Sequence, residues 1–107
     1  MLMQLDVFQV LADPTRRRII EGLVSGEQQV GDLVRRAGIH QSGVSRHLRI
    51  LSESSFVSMR QDGQRHLYSL KPEPFYEINQ WLSQYRELWE KRLDRFDVAL
   101  KKKQKLG

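Results

Sequence analysis

The chain contains no cysteine, which excludes a disulfide framework, thiolate metal sites, thiol redox sensing and a cysteine nucleophile together. No apolar run approaches the ~20 residues that a membrane-spanning helix needs. The first six residues, Met1 to Asp6, carry no basic stretch and no small-residue cleavage site, so no signal peptide is expected. A soluble, cytoplasmic protein with no membrane partner is the expectation. Histidine is scarce: His40, His47 and His66 are the only three, at no spacing typical of a metal site. There is no glycine-rich phosphate loop and no set of residues from which a hydrolytic triad can be nominated. Catalysis has no candidate, and neither a cofactor nor a metal site is expected.

What is present is compact. At 107 residues the chain is one domain's worth, and a single domain over 1–107 is expected. Apolar residues at 39% and charged residues at 29% mark it as globular rather than disordered. The net charge of +5 favours a polyanionic partner, although many basic domains have none.

Proline and glycine punctuate the chain into segments. The spacing predicts a first helix from about Leu2 to Ala12, with Leu5, Phe8 and Ala12 on one face and Met3, Val7, Val10 and Leu11 widening it. A stripe that wide has two surfaces to cover. Asp13-Pro14 restarts the chain as a helix cap and first helical residue. The helix it opens should bury Ile19, Ile20, Leu23 and Val24 and end near Gly26. A short helix over Val30 to Ala37, a turn Gly38-Ile39-His40 and a helix from about Gln41 to Ser54 make a helix-turn-helix over about 30–54. The apolar stripe of the last of these is Val44, Leu48 and Leu51.

Two β-prone runs follow, separated by Asp62-Gly63, a strong hairpin signal; a hairpin over about 56–70 directly after such a motif is a wing. Pro72 and Pro74 then open a long helix, about 74–100. Along it Phe75, Ile78, Leu82, Tyr85, Trp89, Leu93, Phe96 and Leu100 recur at threes and fours, broadened by Trp81 and Leu88. The lysine-rich tail Lys101-Lys102-Lys103-Gln104-Lys105 is expected to fray. A helix of ~27 residues is about 40 Å long, more than so small a domain covers alone. The expected fold class is therefore mainly α (α+β): a winged helix-turn-helix with a β-hairpin wing and a long terminal dimerisation helix. A self partner, a homodimer, would bury Leu5, Phe8, Trp81, Tyr85, Leu88, Trp89 and Phe96.

In a helix-turn-helix the second helix enters the major groove of double-stranded DNA. Opposite its apolar stripe lie Gln41, Ser42, Ser45, Arg46 and Arg49, chemistry that suits adenine, guanine and phosphate. Gly43 in its first turn allows close backbone approach, or is simply tolerated at a helix end. Arg60, Gln61, Gln64 and Arg65 flank the hairpin tip, where a wing meets phosphates or the minor groove; His66 is read as structural or solvent-facing. Arg16, Arg17 and Arg18 crowd a helix N-terminus, where the dipole disfavours cations; phosphate contact and intramolecular pairing, such as Arg17 with Glu21, are both open. The alternative to a DNA-binding regulator is a winged-helix module whose basic face binds an acidic protein.

The runs Leu11-Ala12-Asp13-Pro14-Thr15-Arg16-Arg17 and Gln41-Ser42-Gly43-Val44-Ser45-Arg46-His47-Leu48-Arg49-Ile50-Leu51, with the Asp62-Gly63 wing, resemble the ArsR/SmtB family of bacterial repressors over nearly the whole chain. The resemblance implies a winged-helix dimer paired through its first and last helices, with DNA contacts at Gln41, Ser42, Ser45, Arg46 and the wing. Three departures stand out. Where many members carry a metal-sensing Cys-Val-Cys run, this chain has Gln29-Val30-Gly31; its last helix has no histidine; and Ser55 stands where glycine is common. The pattern Trp81-Leu82, Tyr85-Arg86, Trp89 and Arg92-Leu93-Asp94 resembles a metal-independent subgroup often found beside genes for START-like ligand-binding proteins. That resemblance implies an autorepressor binding an inverted repeat; a small-molecule effector stays open, with no site for one legible in the sequence.

Overall fold

The computed structural model describes residues 5–38 and 40–106; Leu2 and Met3 of the expected first helix, Ile39 of the expected turn and the Ala37 side chain lie outside the described residues. The elements are α1 (Val7–Leu11), α2 (Pro14–Leu23), β1 (Gln28–Gln29), α3 (Val30–Ala37), α4 (Gln41–Glu53), β2 (Val57–Asp62), β3 (Arg65–Leu70), α5 (Glu73–Ser83) and α6 (Arg86–Leu106). They fall into two compact units, Met1–Phe75 and Tyr76–Gly107.

In the first unit, α1 starts later than its apolar spacing suggests. Asp6 caps it by accepting from the Gln9 amide at 2.8 Å, while the Gln9 side chain accepts from the Asp6 amide at 2.8 Å. That reciprocal box holds Asp6 extended, so Leu5 and Asp6 are not helical. Asp13 caps α2 through the amides of Thr15 (2.8 Å) and Arg16 (3.0 Å), with Pro14 in the first helical position. The two nearest arginines turn back rather than outward. Arg16 donates to the carbonyls of Val10 (2.9 Å) and Gln9 (3.1 Å), and Arg17 to that of Leu11 (2.7 Å). These carbonyls lie in the last turn of α1, where Gln9 also takes the Ala12 amide at 3.3 Å, so the cations serve a helix C-terminus.

The core gathers Val7 and Val10 from α1, Ile19, Ile20 and Leu23 from α2, Leu33 from α3, Val44, Leu48 and Leu51 from α4, then Phe56, Val57 and Leu67. Val24, expected inside, is 73% exposed. It caps the end of α2, and its amide donates to Glu21, three residues back, at 3.3 Å; the tightened turn carries its side chain off the buried face. Phe75 meets Phe56 edge-on, with ring centroids 5.6 Å apart.

The exit from α4 is a Schellman motif: the Phe56 amide donates to Leu51 (2.8 Å) and the Ser55 amide to Ser52 (3.1 Å). Ser55 occupies the left-handed position at φ 63°, the only described residue other than glycine to do so.

The second unit departs from the single long helix read from the sequence. Ser83 Oγ donates to the Gln80 carbonyl at 2.6 Å, the acceptor that Gln84 would use in an unbroken helix. Gln84 and Tyr85 donate instead to Trp81 (3.4 Å) and Leu82 (2.9 Å), three residues back, and helical bonding resumes from Tyr85 to Trp89. Arg86 bridges the interruption by donating to Asn79 Oδ1 at 2.7 Å. Beyond the break α6 runs to Leu106 and takes in the lysines expected to fray, helped by ion pairs Glu87–Lys91 (3.0 Å) and Asp97–Lys101 (3.4 Å) one turn apart. Among the described residues no helix is long and apolar enough to cross a membrane.

Candidate nucleic-acid interface

Two glycines and a serine set the geometry of the interface. Gly38 ends α3 in the left-handed conformation (φ 69°), its amide donating to Val34 at 3.1 Å, and the chain turns within three residues to His40, which opens α4. Burial of Val44, Leu48 and Leu51 fixes the roll of α4 about its axis. Turning 100° per residue from that stripe brings Ser42, Arg46 and Arg49 to the opposite side and Ser45 to its flank, while Gln41 sits in the first turn at the edge of the stripe; all five are exposed. Ser42, Ser45, Arg46 and Arg49 line a shallow concavity of about 490 Å³.

The hairpin registers Asp62 opposite Arg65, so the two-residue loop is Gly63-Gln64 rather than Asp62-Gly63. Only the first loop residue, Gly63, has a positive φ (63°), the pattern of a type II′ turn. Gln61 Nε2 donates to the Gly63 carbonyl (3.1 Å) and Arg65 pairs with Asp62 (2.5 Å), stiffening the tip. Gln64 and Arg65 share a polar groove of about 420 Å³ with Gln41 and Ser45. The fold thus joins wing and helix face through Gln41 and Ser45.

Arg60 is placed apart from that groove. Its guanidinium grips Glu27 with two bonds, Nε to Oε2 at 2.7 Å and Nη2 to Oε1 at 2.8 Å. Glu27 immediately precedes β1, which lies across β3 from β2 in the sheet order β1-β3-β2, so the pair spans the sheet. The Arg60 hydrogen bond holds the Glu27 carboxyl below the usual carboxylate range, against a smaller effect of burial, and Glu27 raises Arg60 in return.

The sequence pattern does not single out Glu27 or the groove residues Gln29, Gly31 and Tyr68 as site residues, and it reads His66 as structural or solvent-facing, whereas His66 is exposed and lines the groove. Their signal is weak because β1 has two residues, too few for an alternation, and its partner strand lies some forty positions away (Gln28 opposite Tyr68). The expected interface residues of the second unit are all exposed: Trp81 and Tyr85 at 44%, Leu88 at 56%, Trp89 at 58% and Phe96 at 64%. Trp81 and Tyr85 lean together with ring centroids 5.0 Å apart. In α1, Phe8 is 45% exposed while Val7 and Val10 take the core, and Leu5, just before the helix, is half-buried.

A family model described as a helix-turn-helix domain matches residues 11–60. The chain is 32% identical to the transcriptional repressor SdpR of Bacillus subtilis over 77 residues, covering 72% of this chain and 86% of that protein. Among solved structures, an ArsR family transcriptional regulator superposes with a TM-score of 0.70 at 31% identity, over 78% of this chain and 92% of its own. A protein described as a possible transcriptional regulator for arsenical resistance gives 0.67 at 36% identity, over 89% and 96%.

Proposed function

The chain belongs to the ArsR/SmtB family of winged helix-turn-helix transcriptional regulators, and from that premise we propose that it represses transcription by binding an imperfect inverted repeat in double-stranded DNA as a homodimer. The observation that carries this reading is the exposed polar side of α4, held outward by Val44, Leu48 and Leu51 and continuous with the wing tip through Gln41 and Ser45. Gln41, Ser42, Ser45 and Arg46 meet base edges, Arg49 and Arg65 the phosphates, and Gln64 the minor groove. Arg60 meets DNA only by giving up Glu27.

Each protomer offers one such helix, and a second must sit about one DNA turn (~34 Å) away. The exposed apolar side chains Trp81, Tyr85, Leu88, Trp89 and Phe96 of the C-terminal helices and, in the first unit, Phe8 of α1 and the half-buried Leu5 before it support pairing through these segments, because apolar side chains exposed in such number in water mark an interaction site. Metal independence is part of the proposal. Gln29, Val30 and Gly31 supply no thiolate, and among the described residues no three acidic or histidine side chains cluster as ligands. The working compartment is the cytoplasm, where the DNA is.

The test is fluorescence anisotropy with the DNA upstream of the gene and a scrambled duplex of equal length. Preference for the upstream DNA is expected, and equal binding, or none, would contradict the reading. If a dimer neutralises about 6–10 phosphates, log affinity falls against log salt with a slope of about −5 to −9. Arg46→Ala should cost about 2 kcal/mol and relax preference at one position per half-site if Arg46 pairs with guanine. A uniform loss across sequences would reassign it to phosphate.

A further inference from the structure

Arg16 is unusual among the cations of this chain in being nearly enclosed, with its side chain 11% exposed. Its guanidinium is held in place from three directions. Nε donates to Val10 and Nη2 to Gln9 at the end of α1, and Nη1 lies 4.0 Å from Asp13 Oδ2, in a carboxylate already fixed by the amides of Thr15 and Arg16. The remaining contact reaches a different element: Nη1 stands 3.4 Å from Nδ1 of His47 on α4. A guanidinium only donates and never loses its proton under ordinary conditions. Nδ1 must therefore be the acceptor, which requires a neutral imidazole carrying its hydrogen on Nε2.

His47 lies between the buried stripe and the exposed face of α4, half-buried and adjacent in sequence to Arg46. An anchor at that point restrains rotation of the helix about its own axis, the motion that would swing Arg46, Ser42 and Ser45 relative to a duplex. We infer that His47 is a positioning residue for DNA reading: its neutral form, held by Arg16, refines the roll that the buried stripe of α4 fixes, and a proton at Nδ1 removes the acceptor and releases that added restraint. Acid strong enough to protonate that nitrogen therefore lowers sequence discrimination. The groups facing His47 are the Arg16 guanidinium and the Asp13 carboxylate from α2. The end of α1 contributes the carbonyls that hold Arg16, and Arg46 adjoins His47 on its own helix.

The inference rests on the DNA-binding reading above, and one titration separates their failures. Dissociation constants for upstream and scrambled duplexes are measured by anisotropy at pH 7.5, 6.5 and 5.5 at fixed ionic strength. The proteins are the wild type, His47→Asn, whose amide oxygen accepts and does not titrate, and His47→Ala, each checked by circular dichroism for a cooperative melt. The wild-type ratio should fall about tenfold from pH 7.5 to 5.5 while binding to the scrambled duplex does not weaken. His47→Asn should keep the wild-type ratio at pH 7.5 and hold it constant; His47→Ala should have the reduced ratio throughout. A wild-type ratio that stays flat, or a His47→Asn ratio that falls with pH like the wild type, overturns the inference alone. Absence of any discrimination at pH 7.5 overturns the DNA reading and the inference with it.

Discussion

Apolar residues at helical spacing occur in both halves of this molecule, and they meet opposite fates. In the winged unit Val44, Leu48 and Leu51 of α4 are at most 1% exposed, in a helix packed against α2, α3 and the first strand of the hairpin. In the second unit Leu88, Trp89, Leu93 and Phe96 repeat at similar intervals and are 49–64% exposed. The same periodicity therefore specifies a helix face in both places and says nothing of what covers it. The winged unit contains its own answer. For the surface of the C-terminal helices the proposed answer is a second copy of the chain.

The comparison breaks first at Trp89. Trp89→Glu puts two symmetry-related charges into an apolar seam, and dimerisation should weaken by about 4 kcal/mol, roughly a thousandfold in Kd. Sedimentation equilibrium should find monomers at concentrations where the wild type is dimeric, and an intact dimer would place the partner elsewhere. In the winged unit the matching change is Leu51→Ala, which leaves a cavity beneath α4 and should cost about 3 kcal/mol in urea denaturation, since leucine-to-alanine changes in closed cores cost about 2–5. An effect below about 1 kcal/mol would mean that this side of α4 is not the closed one.

Much of the winged unit is legible locally. Gly38 marks the end of α3, Asp13-Pro14 the start of α2, and the stripe of α4 needs only its own sequence. What escaped depends on atoms distant in sequence or on competition between two neighbours. Nothing in the run around Glu27 announces that Arg60, thirty-three positions on, will grip it. The break after Ser83 arises because one hydroxyl takes the carbonyl that a backbone amide needs, a contest invisible to periodicity. Serine is common in helices that do not break. The candidate site was readable on α4 and at the hairpin tip, and less so in the groove, where β1 is too short to leave a pattern.

Smaller effects sharpen the contrast from within the winged unit. Ser55 was legible as a departure, and the structure gives it a physical meaning: a left-handed residue with a side chain in a motif that favours glycine. Ser55→Gly should stabilise the fold by about 1 kcal/mol, raising the urea midpoint without changing the slope. No gain would mean the serine is compensated locally. The smallest effect is at Asp13. Burial pushes its carboxyl up, but the Arg16 amide, the neighbouring imidazole of His47 whenever it carries a proton, the Arg16 charge and the Thr15 amide outweigh it, holding it below the usual carboxylate range. A lowered value means its contribution to stability is present above the ordinary carboxylate pKa and is lost as pH falls through the lowered one. Asp13→Asn keeps a capping oxygen but should flatten the acid limb of the stability–pH curve by a few tenths of a kcal/mol (cap substitutions amount to about 1). An unchanged acid limb would show that other carboxylates carry it.

The central claim is that the outward side of α4 and the wing tip are where DNA lies, and amide and side-chain NMR shifts on adding upstream duplex test it most directly. Perturbations should concentrate at Gln41, Ser42, Ser45, Arg46, Gln64 and Arg65, and be smaller with a scrambled duplex. Shifts confined to α2 or the C-terminal helices, with residues 41–49 and 63–66 unmoved, would contradict it.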